Sequence, residues 1–104
     1  MRIYGLRNCD SCRAARKTLP DAEFVDVLNP GVEEAHLMLA LDSHGQALVN
    51  KRSTTWKQMS DEARALPVMD QLHQFPKVMK RPLIISEGCA YIGWGVDVKK
   101  ALLG

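Results

Sequence analysis

A chain of 104 residues has the size of one domain, 1–104, and is long enough to bury a core without disulfide staples. Its 46% hydrophobic and 25% charged residues exclude a disordered or low-complexity protein. The net charge of +2 is too small to argue for a direct nucleic-acid partner. The N-terminus MRIYGLRNCD has no apolar core of a signal peptide, and no apolar run approaches the roughly 20 residues of a membrane span. A cytoplasmic protein with no membrane partner is therefore expected, and in that reducing compartment three cysteines are not a structural disulfide framework.

In chain order, Arg2 to Leu6 reads as a short apolar strand, and a helix from about Asp10 to Leu19 is stopped by Pro20. Glu23 to Leu28 reads as a second strand. Asn29 as N-cap and Pro30 at the first helical position predict a helix that stops at Gly45, with Glu33 and Glu34 near the positive end of its dipole. From Gln46 to Arg64 the periodicity is weak, and short helical pieces anchored by Leu48, Val49, Trp56 and Met59 are expected. Pro67 opens a helix in which Val68, Met69, Leu72 and Phe75 share one face, and Pro76 ends it. Leu83 to Ser86 and Cys89 to Ile92 flank Glu87-Gly88, the spacing of a two-residue hairpin. A last helix runs from about Val96 to Leu103. The order is β-α-β, a helical insert over about residues 30–76, then β-β-α, which is that of a thioredoxin-like α/β domain: a small mixed sheet flanked by helices.

The first strand-to-helix junction carries NCDSC, with Cys9 and Cys12 three apart. At a helix start, free backbone N–H groups and the dipole favour an anion, which lowers a thiol pKa from about 8.5 into a range of roughly 3.5 to 7.5. Arg7 and Arg13 are expected to act in the same direction. A redox pair, with Cys9 as nucleophile and Cys12 as the cysteine that resolves its mixed disulfide, is preferred over half of a zinc site, which would have to recruit Cys89 and one of His36, His44 or His73. Two buried cysteines without a role are the bland alternative. Cys89, inside a hairpin strand, is expected in the core. No bound metal or cofactor is expected.

The basic residues are segregated. Segments 7–17, 51–57 and 77–81 hold ten of the fourteen Lys and Arg residues and only one acid, Asp10. Brought together, they would make one positive face. Arg81-Pro82 introduces a strand, and an X-Pro bond there can be cis. In thioredoxin-like folds a cis-proline at this place faces the reactive cysteine, which would let Arg81 pair with an anion at Cys9, and Arg52 is similar in kind; for both the alternative is a solvated arginine. Trp56 and Trp94 read as packing anchors, and the lone histidines as exposed or capping residues.

The strand followed by NCDSC, the segment NKRSTTWKQM, the KRPLII strand and the closing YIGW resemble, in order and spacing, the arsenate-reductase-like (ArsC/Spx/YffB) family of the thioredoxin superfamily, and most closely its YffB-like group. The resemblance implies a thioredoxin fold with a helical insert, a nucleophile at Cys9, and arginines around it at Arg52 and, before a cis-proline matching Pro82, at Arg81. Arg13 joins these as an anion-binding residue. A third arginine of the arsenate cage has Gly93 or Trp94 at its place, and losing that contact costs roughly 1.5 to 3 kcal/mol, tenfold or more in binding. The activity the resemblance implies is a thiol-disulfide oxidoreductase that uses glutathione as co-substrate and acts on glutathione or a protein disulfide. Its alternatives are an Spx-like redox regulator that binds RNA polymerase, with Cys9 and Cys12 as its switch, and an arsenate reductase.

Overall fold

In the computed structural model, which describes residues 1–104, Arg2–Gly5 forms the first strand (β1) and Glu23–Asp26 the second (β2), joined by a helix over Asp10–Thr18 (α1). The later strands are Leu83–Ser86 (β3) and Cys89–Ile92 (β4), and the sheet order is β2-β1-β3-β4. β1 runs parallel to β2 and antiparallel to β3, and β3 pairs antiparallel with β4. A parallel pair needs a crossover, which α1 supplies, whereas the β3-β4 pair closes through two residues. Both residues of that turn, Glu87 and Gly88, have positive φ, at 51° and 77°, as a type I′ hairpin requires.

The pleat of β1 sends alternate side chains to opposite faces, and the register carries this into β3: Ile3 lies beside Ile84 and Tyr4 beside Leu83. Ile3 and Ile84, with Ala15 of α1, make one core layer, closed by the C-terminal helix over Val96–Leu103 (α6) through Val98 and Leu102. Tyr4 and Leu83 belong to the larger layer on the other face, built with Val27, Leu37, Leu48, Leu72 and Val78. All four strand side chains are fully buried. Truncating any of the three aliphatic ones to Ala would cost about 2–5 kcal/mol.

The insert follows the expected pattern with one correction. The helix placed at Pro30 begins four residues later and spans Glu34–His44 (α2). The residues before it form a turn instead, organised by Asp26: its carboxylate accepts from the Leu28 N–H at 2.7 Å and its carbonyl from the Gly31 N–H at 3.0 Å. Gly31 then takes a φ of +88°, which no helix continues. The Asn29-Pro30 bond is cis. α2 ends at Gly45 as expected, and its last residue, His44, ties it to β4 through Nε2 and the Ala90 carbonyl at 2.7 Å.

Between α2 and β3 lie short helices over Thr54–Gln58 (α3), Asp61–Arg64 (α4) and Val68–Gln74 (α5), with 3-10 turns at Gly45–Leu48 and Pro76–Val78. Ser53 and Ser60 cap α3 and α4, accepting from Trp56 N–H and Ala63 N–H. Leu48, Val49 and Met59 anchor this stretch as buried residues. On α5, Leu72 is buried with Val68, Met69 and Phe75 packed partly around it. Gln71 is buried too, which apolar periodicity does not reveal: its amide donates to the Arg64 and Leu66 carbonyls and holds the α4–α5 turn. Cys89, expected inside, is exposed, because it starts β4 beside the hairpin turn and Ala90 takes the inward position. No helix is long and apolar enough to cross a membrane.

Candidate active site

Cys9 is the N-cap of α1, with extended backbone (φ −91°, ψ 125°), and its carbonyl accepts the first turn's bond from the Arg13 N–H at 2.9 Å. This puts its sulfur at the helix end where backbone N–H groups lack partners. Burial alone pushes its thiol up, but four groups outweigh that and bring the pKa down to about 7: the Ser11 hydroxyl, the Cys12 thiol, the Cys12 backbone N–H and the Arg81 guanidinium. Ser11 Oγ lies 3.3 Å from Cys9 Sγ. Near pH 7 roughly half of such a thiol is thiolate, against a few per cent for a free cysteine.

Cys12 sits one turn on and is fully buried. Burial and the neighbouring Cys9 push its thiol up to about 12, so it remains a proton donor beside the Cys9 sulfur. Its pocket exists because residue 5 of β1 is glycine: a Cβ there would stand 2.5 Å from Cys12 Sγ. All three cysteines are free thiols.

Arg81 arrives from the opposite direction, at the cis Arg81-Pro82 bond that leads into β3. Its carbonyl lies 3.3 Å from Ser11 Oγ and accepts the single hydroxyl proton while Cys9 is a thiol, a proton that turns to the sulfur when Cys9 ionises; its Nη1 donates to the Lys77 carbonyl at 2.5 Å. Its Nε is buried and has no hydrogen-bond acceptor. A buried donor without an acceptor costs on the order of 1–3 kcal/mol.

The other expected anion-binding residues stand apart from this trio. Arg13 pairs with Asp10 at 2.5 Å on the exposed side of α1. Neither Arg13 nor Arg7 is what brings Cys9 down; Ser11, which side-chain charge alone does not single out, is the strongest of the groups that do. Arg52 is exposed, and only its backbone N–H is engaged, with Asn50 Oδ1 at 3.0 Å. The basic segments are nonetheless neighbours. Segment 51–57 follows a strand-like contact in which the Asn50 N–H donates to the Val78 carbonyl and the Lys80 N–H to the Leu48 carbonyl, both at 2.8 Å, and segment 7–17 meets Arg81 through Ser11. Trp94 packs in the smaller core layer, and Trp56 packs against the larger one, flanked by Lys51 and Arg64. His73 pairs with Glu34 at 2.9 Å, and His36 Nδ1 meets the buried Tyr4 hydroxyl at 2.6 Å.

The ArsC family model matches residues 4–101. A protein of Haemophilus influenzae is 33% identical over 88% of this chain and 89% of its own. The global transcriptional regulator Spx of Enterococcus faecalis is 27% identical over 91% of this chain and 80% of its own. Among solved structures, the YFFB protein superposes with a TM-score of 0.84 at 26% identity, covering 99% of this chain and 98% of that one. An arsenate reductase-related protein of Brucella melitensis, at 24% identity and a TM-score of 0.69 over 98% and 92% of the chains, shares the fold. With its four-stranded thioredoxin-like sheet and a family match running from β1 into α6, the chain belongs to the ArsC family.

Proposed function

We propose that the protein is a thiol-disulfide oxidoreductase in which Cys9 is the nucleophile and a low-mass thiol of the glutathione class is the reductant. The observation that carries this reading is the Cys9 sulfur at the head of α1, brought to about 7 by Ser11, Cys12 and Arg81. The Arg81 guanidinium, one of the groups that hold the Cys9 thiolate, gives an anionic substrate group a partner.

The Cys9 thiolate attacks one sulfur of a disulfide R–S–S–R′, forming Cys9–S–S–R and expelling R′ as a thiolate, which takes a proton from water. A thiol R″SH, as its thiolate, then attacks the Cys9 sulfur of the mixed disulfide, breaking its bond to R and releasing RSH, and a second R″ thiolate attacks the R″ sulfur of Cys9–S–S–R″, forming R″–S–S–R″ and returning Cys9 as the thiolate. The sum is R–S–S–R′ plus two R″SH giving RSH, R′SH and R″–S–S–R″, so two electrons pass from the external thiols to the substrate. Cys12, protonated and fully buried, holds the Cys9 thiolate by hydrogen bonding in the resting enzyme. Arsenate reduction is disfavoured: the family resemblance puts Gly93 or Trp94 where a third cage arginine would stand, and Trp94 packs against the smaller core layer.

Turnover of a glutathione mixed disulfide with glutathione as reductant tests the reading. Activity that disappears in Cys9→Ser supports it, and no turnover by the unmutated protein rejects it. The match to Spx regulators favours one second reading, a redox-controlled partner of RNA polymerase. Retention on immobilised polymerase that differs between oxidised and reduced protein would support that one, and no retention in either state would eliminate it.

A further inference from the structure

Along α1, Cys9, Arg13, Arg16 and Lys17 are spaced i, i+4, i+7 and i+8, which places the reactive sulfur and three cations on one stripe of the helix. Between this stripe and β2 lies an open groove lined by Arg13, Arg16, Lys17, Pro20, Ala22 and Phe24. No carboxylate lines it. Arg16 is set in place over the Phe24 ring, its guanidinium carbon 4.3 Å from the centroid. Arg13 is tied only to Asp10, whose side chain is 96% exposed, and such a surface pair holds only weakly. Another carboxylate can replace Asp10 at little cost.

The geometry points to a protein substrate: we propose that this groove docks an extended acidic segment next to the disulfide that Cys9 attacks. The proposal rests on the reductase reading above. A helix rises about 1.5 Å per residue, so Arg13 lies roughly 6 Å and Lys17 roughly 12 Å along the axis from Cys9. An extended chain advances about 3.3 Å per residue, so acids about two and about four positions from the substrate cysteine meet Arg13 and the Arg16–Lys17 pair. A tripeptide thiol bonded to Cys9 is too short to occupy the far end of the groove. The floor of Phe24, Pro20 and Ala22 gives the segment apolar contact between its charges.

The test uses three labelled peptides of equal length, each with one cysteine and with Asp, Ser or Lys at those two positions. Their affinity for Cys9→Ser protein, with the peptide thiol blocked, is read by fluorescence anisotropy at low ionic strength. The Asp peptide is expected to bind about tenfold more tightly than the Lys peptide, with the difference fading at high salt. Lys17→Glu, and separately Arg16→Glu, should shrink or reverse the order. As mixed disulfides with glutathione, the peptides should follow the same order in rate of reduction by the unmutated protein. Equal affinities for the three peptides, or tighter binding of a single-stranded oligonucleotide of equal charge than of the Asp peptide, would overturn the docking proposal. A small neutral disulfide separates the two claims: if it and all the peptide disulfides go unreduced, the reductase reading falls, while the anisotropy still decides the docking.

Discussion

Replacing Ser11 with alanine removes the group that does most to hold the Cys9 thiolate, a hydroxyl 3.3 Å from the sulfur. A hydrogen bond to a charged group contributes roughly 1.5–3 kcal/mol, and at 1.36 kcal/mol per pKa unit this corresponds to about one to two units. Cys9 is only partly buried, so solvent takes up part of the loss and a rise of about one unit is expected. At pH 7 the thiolate fraction then falls from about one half to about one eleventh, while a Brønsted slope of 0.4–0.5 makes the more basic thiolate about threefold more reactive. The variant should react about half as fast at pH 7 and about threefold faster above pH 9.5, so the two pH profiles cross. The assay is the rate of iodoacetamide alkylation against pH in a Cys89→Ser background, because Cys89 is exposed and would react as well. Cys12, buried and held near 12, stays silent. Profiles that superimpose, or an inflection for the parent protein near the free-thiol value, would refute the role given to Ser11.

Further outcomes follow from the same geometry. Gly5→Ala drives a Cβ against the Cys12 sulfur and should destabilise the fold by about 1–3 kcal/mol in urea unfolding; adding Cys12→Ala should recover part of that, and an additive double mutant would show that the two do not touch. Arg81→Ala removes the unpaired Nε donor and should raise KM for an anionic disulfide about tenfold, whereas Arg52→Ala, whose side chain is exposed and unpaired, should change it little. Because the folded Cys9 pKa lies below the unfolded value, its ionisation adds stability fully above about pH 8.5 that is lost as pH falls through about 7. Cys12, raised in the fold, contributes below about pH 8.5 and loses that contribution as pH climbs toward 12. Urea midpoints across this range should therefore change shape in Cys9→Ser below pH 8.5 and in Cys12→Ser above it.

The strands, the hairpin and most helices were legible because their signals are local: a short apolar run at Arg2–Gly5, Pro20, Gly45 and Pro76 at helix stops, and Glu87-Gly88 between two apolar runs. The start of α2 was not, because Asn29-Pro30 has the local appearance of a helix start while Asp26, several residues earlier, folds the segment into a turn. The exposure of Cys89 turns on which parity of β4 faces inward, and in a four-residue strand that is decided by the partner register and not by its own sequence. At the site, the motif marked Cys9 and Arg81 as candidates, and the structure brings the two together. Ser11 lay inside the quoted NCDSC, and its place two residues into the helix is a signal that could have been read. Arg13 carries an exposed i, i+3 pair with Asp10 that the spacing already suggests. Arg52 and Arg81 look alike in sequence, and the difference between an exposed guanidinium and one with a buried Nε arises only from the packing of the Lys77 to Pro82 segment.

Incubation of the reduced protein with glutathione disulfide near neutral pH, followed by peptide mass mapping under acid quench, tests the central claim most directly. A glutathione adduct is expected to form first on Cys9, to be prevented by Cys9→Ser, and not to appear on the buried, protonated Cys12. An adduct on Cys12 with Cys9 unmodified, or modification confined to the exposed Cys89, would contradict it.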